Sequence, residues 1–142
     1  MIYESNPWMY QGKPFLEIPE KAFSFVYILR HEASGKAYIG KKLFWFSKTK
    51  QVKGKKKRVK AESDWREYFS SSEEIQKMVA EGEHFSREIL HICESKGVAN
   101  YLEAREQMDA RVLEYPDKWF NRIINCRVHA THVKSHIKAL HR

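Results

Sequence analysis

Phe23-Ser24-Phe25-Val26-Tyr27-Ile28-Leu29-Arg30, followed after His31 to Gly35 by Lys36-Ala37-Tyr38-Ile39-Gly40, is the stretch that decides the fold. Aromatic and β-branched residues crowd both runs, and a five-residue connection containing Gly35 suits a β-hairpin. Downstream, Ser72 stands where an N-cap should be, with Glu73 and Glu74 in the first turn and Gly82 past the end, so a helix is expected over 73–81. Phe85 to Ile92 reads as a third strand. The longest helix is expected from Asn100 to Glu114, because Tyr101, Ala104, Met108 and Val112 recur at helical steps and Pro116 stops the run. Upstream, Tyr3, Trp8, Tyr10 and Phe15 surround the turn-like Gln11-Gly12-Lys13-Pro14, which suits a short hairpin or an extended arm laid over the domain. The order β-β-α-β-α predicts an α+β domain, one small sheet backed by helices.

The chain has 142 residues, 42% hydrophobic and 13% aromatic, enough for one compact core and against global disorder. Apolar runs fall far short of the roughly 20 residues that span a bilayer, and Met1 to Tyr10 lacks the form of a signal peptide, so a cytoplasmic protein with no membrane partner is expected. Cys93 and Cys126 are too few for a disulfide scaffold and, among apolar neighbours, read as reduced core thiols.

Twenty-six Lys and Arg against 18 Asp and Glu give a formal charge of +8, which points to a polyanion. Ten of those cations and no acid lie between Lys41 and Lys60, densest at Lys53, Lys55, Lys56, Lys57, Arg58 and Lys60. A run so self-repelling is expected to be a mobile loop, either merely solvated or, better, holding DNA phosphates together with Lys41 and Lys42. Phe44, Trp45 and Phe46 lie just upstream; three consecutive aromatics cannot share a face of a strand, so at least one should enter the core.

Val26-Tyr27-Ile28 and Tyr38-Ile39-Gly40 together resemble the paired motif of the GIY-YIG nucleases. The second half is intact; in the first, Phe25 replaces the glycine and Val26 the isoleucine. The resemblance extends through Phe85 to Leu90, similar to the family's third strand, Ala104-Arg105-Glu106-Gln107, similar to its metal-binding helix, and Phe120-Asn121, similar to its closing Tyr-Asn element. Glu106 and Asn121 are fifteen positions apart, as in the homing-endonuclease branch. This likeness implies a three-stranded antiparallel sheet flanked by helices over residues 23–125, with a basic insertion at 41–62, an N-terminal arm at 1–22 and a basic tail at 126–142.

Phosphodiester hydrolysis needs an oriented water, neutralisation of charge on the phosphate and help for the leaving alkoxide. The resemblance assigns Mg²⁺ or Mn²⁺ to Glu106, and Tyr27, alone or with Tyr38, to the water. A phenol acts as a base near neutrality only beside a cation, which Lys41 or Lys42 could supply. Glu103, Asp109 and Glu114 share the helix with Glu106; the tyrosines could be cross-strand packing partners, and Asn121 a turn residue. The family's arginine has no clear counterpart: Arg66 is the best substitute, with Lys60, Lys42 and Arg58 competing, while Asp64 falls on the usual place. His31 is expected to be a solvated loop residue. His129, His132, His136 and His141 with Cys126 fall short of a convincing zinc set, and a basic tail packed on the domain or touching DNA is expected.

The function implied is a metal-dependent DNA endonuclease, most specifically a free-standing, phage-type homing-like enzyme, monomeric or homodimeric. The alternatives are a restriction or repair nuclease of the same fold, a DNA-binding module that has lost hydrolysis, and, on charge alone, an RNA-binding basic protein.

Overall fold

The computed structural model of the chain describes residues 5–140, so Tyr3 and His141 fall outside the described residues. The decisive hairpin is β3, Ser24–His31, and β4, Ala37–Leu43, paired antiparallel with Tyr27 opposite Gly40 and Leu29 opposite Tyr38. The N-terminal segment joins the sheet rather than lying over it, as β1, Met9–Tyr10, and β2, Lys13–Pro14. The sheet therefore has five strands, not three, in the order β2-β1-β7-β3-β4, where β7 is Phe85–Cys93. Strand β7 runs antiparallel to β3, whereas β1 pairs with β7 in parallel.

The basic stretch also differs from expectation. Instead of a loop it forms a second, two-stranded sheet, β5, Trp45–Val52, and β6, Lys55–Glu62. Lys53 and Gly54 connect the two strands with φ of 51° and 77°. Positive φ at both central residues marks a type I′ turn, whose twist matches that of the flanking strands. That local signal, Lys-Gly between runs containing Val52 and Val59, outweighs the charge repulsion that suggested a loop.

Helix α1, Glu73–Ala80, starts where Ser72 accepts a hydrogen bond from the Ile75 amide. Helix α2, Lys96–Asp109, begins four residues earlier and ends five earlier than the periodicity suggested. Ser95 caps it by accepting from the Val98 amide, and the chain leaves it at Arg111, whose φ is 55°. A short helix α3, Lys134–Leu140, follows a 3-10 turn at Ala130–Val133.

The sheet buries both faces. On one, Phe25, Tyr27 and Leu29 pack with Trp8, Phe44, Trp65, Ile75 and Phe120; on the other, Val26 and Ile39 pack with Val98, Ala99 and Leu102 of α2. Of the three aromatics at the ribbon's root, Phe44 is buried, Trp45 half-buried and Phe46 exposed. Cys93 is buried and its thiol is pushed up to about 12 by desolvation, but Cys126 is exposed, contrary to the core position expected. Its neighbourhood after Asn121 has no regular structure to fold it inward.

Candidate active site

Strand β4 is the sheet's edge, and its alternation sends Tyr38, Gly40 and Lys42 to one face and Ile39 and Lys41 to the other. Tyr27 lies across from Gly40, and its ring occupies the space a side chain there would need. A Cβ on residue 40 would sit 2.6 Å from Tyr27 Cζ and 2.9 Å from Tyr38 Cε1. The glycine of the second tripeptide is thus a packing requirement: it lets the Tyr27 phenol lie against the edge strand beside Tyr38, at a ring separation of 6.3 Å.

Tyr68, from the segment before α1, completes this cluster. Its ring meets that of Tyr27 edge-on at 6.0 Å, and its hydroxyl accepts a hydrogen bond from Tyr27, while Ser71 hydrogen-bonds both Tyr68 and Tyr38. Burial is the first cause that raises the Tyr27 phenol well above its ordinary value, with the Tyr68 and Tyr38 phenols adding to it. Burial also raises Tyr38 and Tyr68. Among the described residues no cation offsets the rise at Tyr27, so its phenol is held in the protonated form.

Lys42 borders this cluster, its Nζ 4.1 Å from the Tyr68 ring centroid and 2.6 Å from Asp64 Oδ1. Lys42 holds the Asp64 carboxyl below its ordinary range, chiefly through that hydrogen bond. Arg66 is engaged elsewhere: its guanidinium donates to the Leu16 carbonyl at 2.6 Å, meets Glu62 at 3.2 Å and stacks on Trp65. Buried Arg87 is also structural. It lies between the rings of Trp8 and Phe69 and donates to the carbonyls of Asn6, Arg66 and Tyr68, tying two chain segments to β7.

Across the β4 edge, α2 brings up a carboxylate. Glu103, with a side chain only 12% exposed, lies 3.4 Å from Lys41 Nζ, and its charge acts on both Tyr27 and Tyr38. Burial raises the Glu103 carboxyl more than Lys41 lowers it. Glu106, one turn on, faces β7 and meets His91 Nε2 at 3.0 Å. The structure therefore joins Tyr27, Tyr38, Lys41 and Glu103 along one edge, and places Glu106 with His91 and Arg66 with the N-terminal arm. Glu103 carried no sequence signal of its own: the fifteen-residue count to Asn121 points to Glu106, and spacing alone cannot tell which turn of a helix faces an edge. Tyr68 and Ser71 lie in an irregular segment and carried no sequence signal.

Asn121 is buried and acts on the backbone. Its Oδ1 accepts from the Ile39 amide at 3.1 Å and its Nδ2 donates to the Ile39 carbonyl at 2.8 Å, as a neighbouring strand would. Gln107 Nε2 donates to the same carbonyl at 2.9 Å, and the Ala37 backbone pairs with Lys118 and Phe120. These bonds close the edge at residues 37 and 39 and hold Tyr38 and Gly40 in place.

Lys53, Lys55, Lys56, Lys57, Arg58 and Lys60 all lie exposed on the β5–β6 ribbon, which springs from the end of β4. Of the tail histidines, His129 and His132 meet each other, His132 Nδ1 accepting from the His129 amide at 3.0 Å, and His136 lies against the Tyr101 ring. Among the described residues no cluster of three or more His, Cys, Asp or Glu side chains could hold a metal, and no helix is long and apolar enough to cross a membrane. His31 bridges Ser34 and Glu83 as a buried loop brace, not a solvated residue.

One family model, described as "Putative endonuclease segE, GIY-YIG domain", matches residues 8–124. That span takes in the N-terminal strands, the ribbon and the whole edge described above. No curated protein and no solved structure matches the chain at a significant level.

Proposed function

Because the chain belongs to the GIY-YIG endonuclease family, in its segE branch, we propose that it is a divalent-metal-dependent endonuclease of DNA whose reaction takes place along the β4 edge. The observation that carries this reading is the meeting of Tyr27, Tyr38 and Tyr68 on one face of the edge with Glu103 and Lys41 on the other.

In this reading Glu103, rather than Glu106, holds the metal. A buried carboxylate whose desolvation Lys41 offsets only in part is a hard oxygen donor that a divalent cation would relieve. A single protein carboxylate suits Mg²⁺ or Mn²⁺, which keep several waters and bind substrate phosphate. Bound there, such an ion supplies Lewis-acid stabilisation of charge on the phosphate. The chain's own residues do the rest. The protonated phenols of Tyr27 and Tyr38 orient the attacking water by hydrogen bonding, Lys42 and Lys41 attract the phosphate, and Asn121 and Gln107 act as positioning residues through Ile39. A homing-like role is the specific form of the proposal; a restriction or repair nuclease would use the same edge.

Arg66, committed to Leu16 and Glu62, stands with Phe25 in place of the first motif's glycine on the side of a non-catalytic DNA-binding module. Nicking of supercoiled plasmid in Mg²⁺ or Mn²⁺ decides between the two. The wild-type chain and Glu106→Gln are expected to cut, with Glu103→Gln and Tyr38→Phe reduced at least about a hundredfold, in the range of removing one electrostatic partner from the reacting group. Binding without metal-dependent cutting by the wild type would establish the module instead, and loss of cutting in Glu106→Gln alone would return the metal to Glu106.

A further inference from the structure

The β5–β6 ribbon is an odd element for a small domain. Every residue from 46 to 60 is exposed, and an isolated two-stranded hairpin is marginal in water. It also sets like charges opposite each other, Lys50 facing Lys57, with Arg58 and Lys56 as the next cross-strand positions on the other face. Eight cations and one acid, Glu62 at the root, lie between Trp45 and Glu62. The element has the shape of a β-hairpin held by its turn, and the charge of one that meets a polyanion.

Dimensions narrow the partner. Strands of eight residues extend about 26 Å, and a two-stranded ribbon fits the major groove of regular B-form DNA, about 12 Å wide, whereas the minor groove, about 6 Å wide, takes one only when the duplex is deformed. The deep, narrow major groove of an RNA duplex would exclude it. Single strands are bound on stacking platforms, and the ribbon's outer part carries none: Phe46 and Trp45 sit at its root.

The two faces differ chemically. Alternation puts Phe46, Lys48, Lys50, Val52, Lys55, Lys57 and Val59 on one face. The other carries Ser47, Thr49 and Gln51 opposite Lys60, Arg58 and Lys56. Gln and Arg are the side chains that bond adenine and guanine edges in two places at once, and Arg58 is the one forked cation among the ribbon's lysines.

We propose that the β5–β6 ribbon enters the major groove of B-form duplex DNA, its lysines on flanking phosphates and its Thr49–Gln51–Arg58 face on base edges, fixing duplex DNA as the substrate. The ribbon continues from β4, so its seating in the groove would set where the Tyr38 edge meets the backbone. The inference rests on the nuclease reading for its substrate, but it concerns binding and is tested without metal, where cutting plays no part.

The probe is a random-sequence duplex pool treated with dimethyl sulfate, which methylates guanine N7 in the major groove and adenine N3 in the minor. Bound and unbound fractions are compared for the full chain, Arg58→Lys, the pair Lys50→Gln/Lys57→Gln, and a chain with residues 48–59 replaced by two glycines. The full chain is expected to exclude N7-methylguanine and to prefer the duplex over the same pool as single strands or as duplex RNA. Arg58→Lys should keep the salt dependence and relax guanine discrimination about tenfold, the range of one bidentate pair. The lysine pair should lower the slope of log affinity against log salt by about 0.9 for each phosphate no longer neutralised. The shortened chain, with its fold checked by circular dichroism, should fall in duplex affinity on the order of a hundredfold. Exclusion of N3-methyladenine instead, unchanged duplex affinity in the shortened chain, or guanine discrimination intact in Arg58→Lys would each overturn the proposal. A chain that binds as expected yet never cuts in metal would refute the nuclease reading and leave this one standing.

Discussion

Gly40→Ala is the substitution in which one methyl group should do the most damage. The residue lies on β4 directly opposite Tyr27, and the added Cβ would stand 2.6 Å from Tyr27 Cζ and 2.9 Å from Tyr38 Cε1. Both approaches are shorter than side chains tolerate, and Tyr27 is 1% exposed, pinned by Trp8, Phe25 and Tyr68, so its ring has nowhere to swing. Overpacking a filled core costs about 1–3 kcal/mol, against a gain of about 0.5–1 kcal/mol from restricting the unfolded chain. A net loss of up to about 2.5 kcal/mol follows, with a midpoint of about 1 kcal/mol or roughly 3–4 °C in Tm for a domain this size. Cutting should fall much further, by at least about a hundredfold, since a displacement near 1 Å at the reacting groups has that effect. Urea unfolding and plasmid nicking measure both. In a Tyr27→Ala background the Gly40→Ala cost should fall, because the closer ring it strikes is gone and only Tyr38 Cε1 remains in the way. Native stability together with native cutting in Gly40→Ala would refute the packing account of the tripeptide's glycine.

Asn121→Ala leaves the Ile39 amide without its side-chain acceptor, while Gln107 still serves the carbonyl; stability should drop by about 1–3 kcal/mol in urea, with cutting abolished alongside and Asn121→Asp unable to restore both bonds. Glu103 gives a pH signature: its folded pKa is raised by burial, so ionisation weakens the fold as pH rises from the ordinary carboxylate range through the raised value, and the penalty is complete above it. Glu103→Gln should match the wild type near about pH 4 and equal or exceed its stability at about pH 8 while cutting is abolished; a less stable variant at the higher pH would show that Lys41 outweighs burial. Of the two thiols, exposed Cys126 should react with a thiol reagent in the native state and Cys93 only on unfolding, which a stopped titration before and after denaturant would reveal.

The hairpin was legible because its two strands carry strand-forming residues and a turn of the right length, and both requirements are local. The Ser72 cap and the third strand were legible for the same reason. What escaped was set by tertiary context. Nothing in Met9–Tyr10 announces a parallel pairing with Glu88 and Ile89; two residues make a strand only because β7 offers an open edge. The α2 boundaries moved because Ser95, a local cap signal, reads equally well as part of a turn, and because Val112, fully buried and in phase with the helix, lies beyond a left-handed Arg111. In the ribbon, a two-residue turn signal competed with a strong charge argument, and the turn won. The site residues divide similarly. Tyr27, Tyr38 and Asn121 could be singled out from sequence because they sit at fixed distances in the motif, and the structure sets Asn121 on the Ile39 backbone.

That Glu103 and Glu106 address different strands follows from how a helix crosses a sheet edge. Residues three apart on a helix are about 60° from facing the same way, so two acids one turn apart can address different strands. Here Gln107 fixes the phase: its amide reaches the Ile39 carbonyl on β4, and Glu103, four residues earlier on the same face, must reach the same strand, at Lys41. Glu106 is rotated towards β7 and finds His91. The edge itself explains why the site lies there. An edge strand exposes unpaired backbone groups that invite unwanted pairing. This chain covers β4 at Ala37 with residues 118–120 and at Ile39 with side-chain amides, then carries the strand past Leu43 into the ribbon. The stretch between, Gly40 to Lys42, is where the phenols, Glu103 and the two lysines converge, and that convergence on the uncovered part of the edge is the ground for proposing the reaction there.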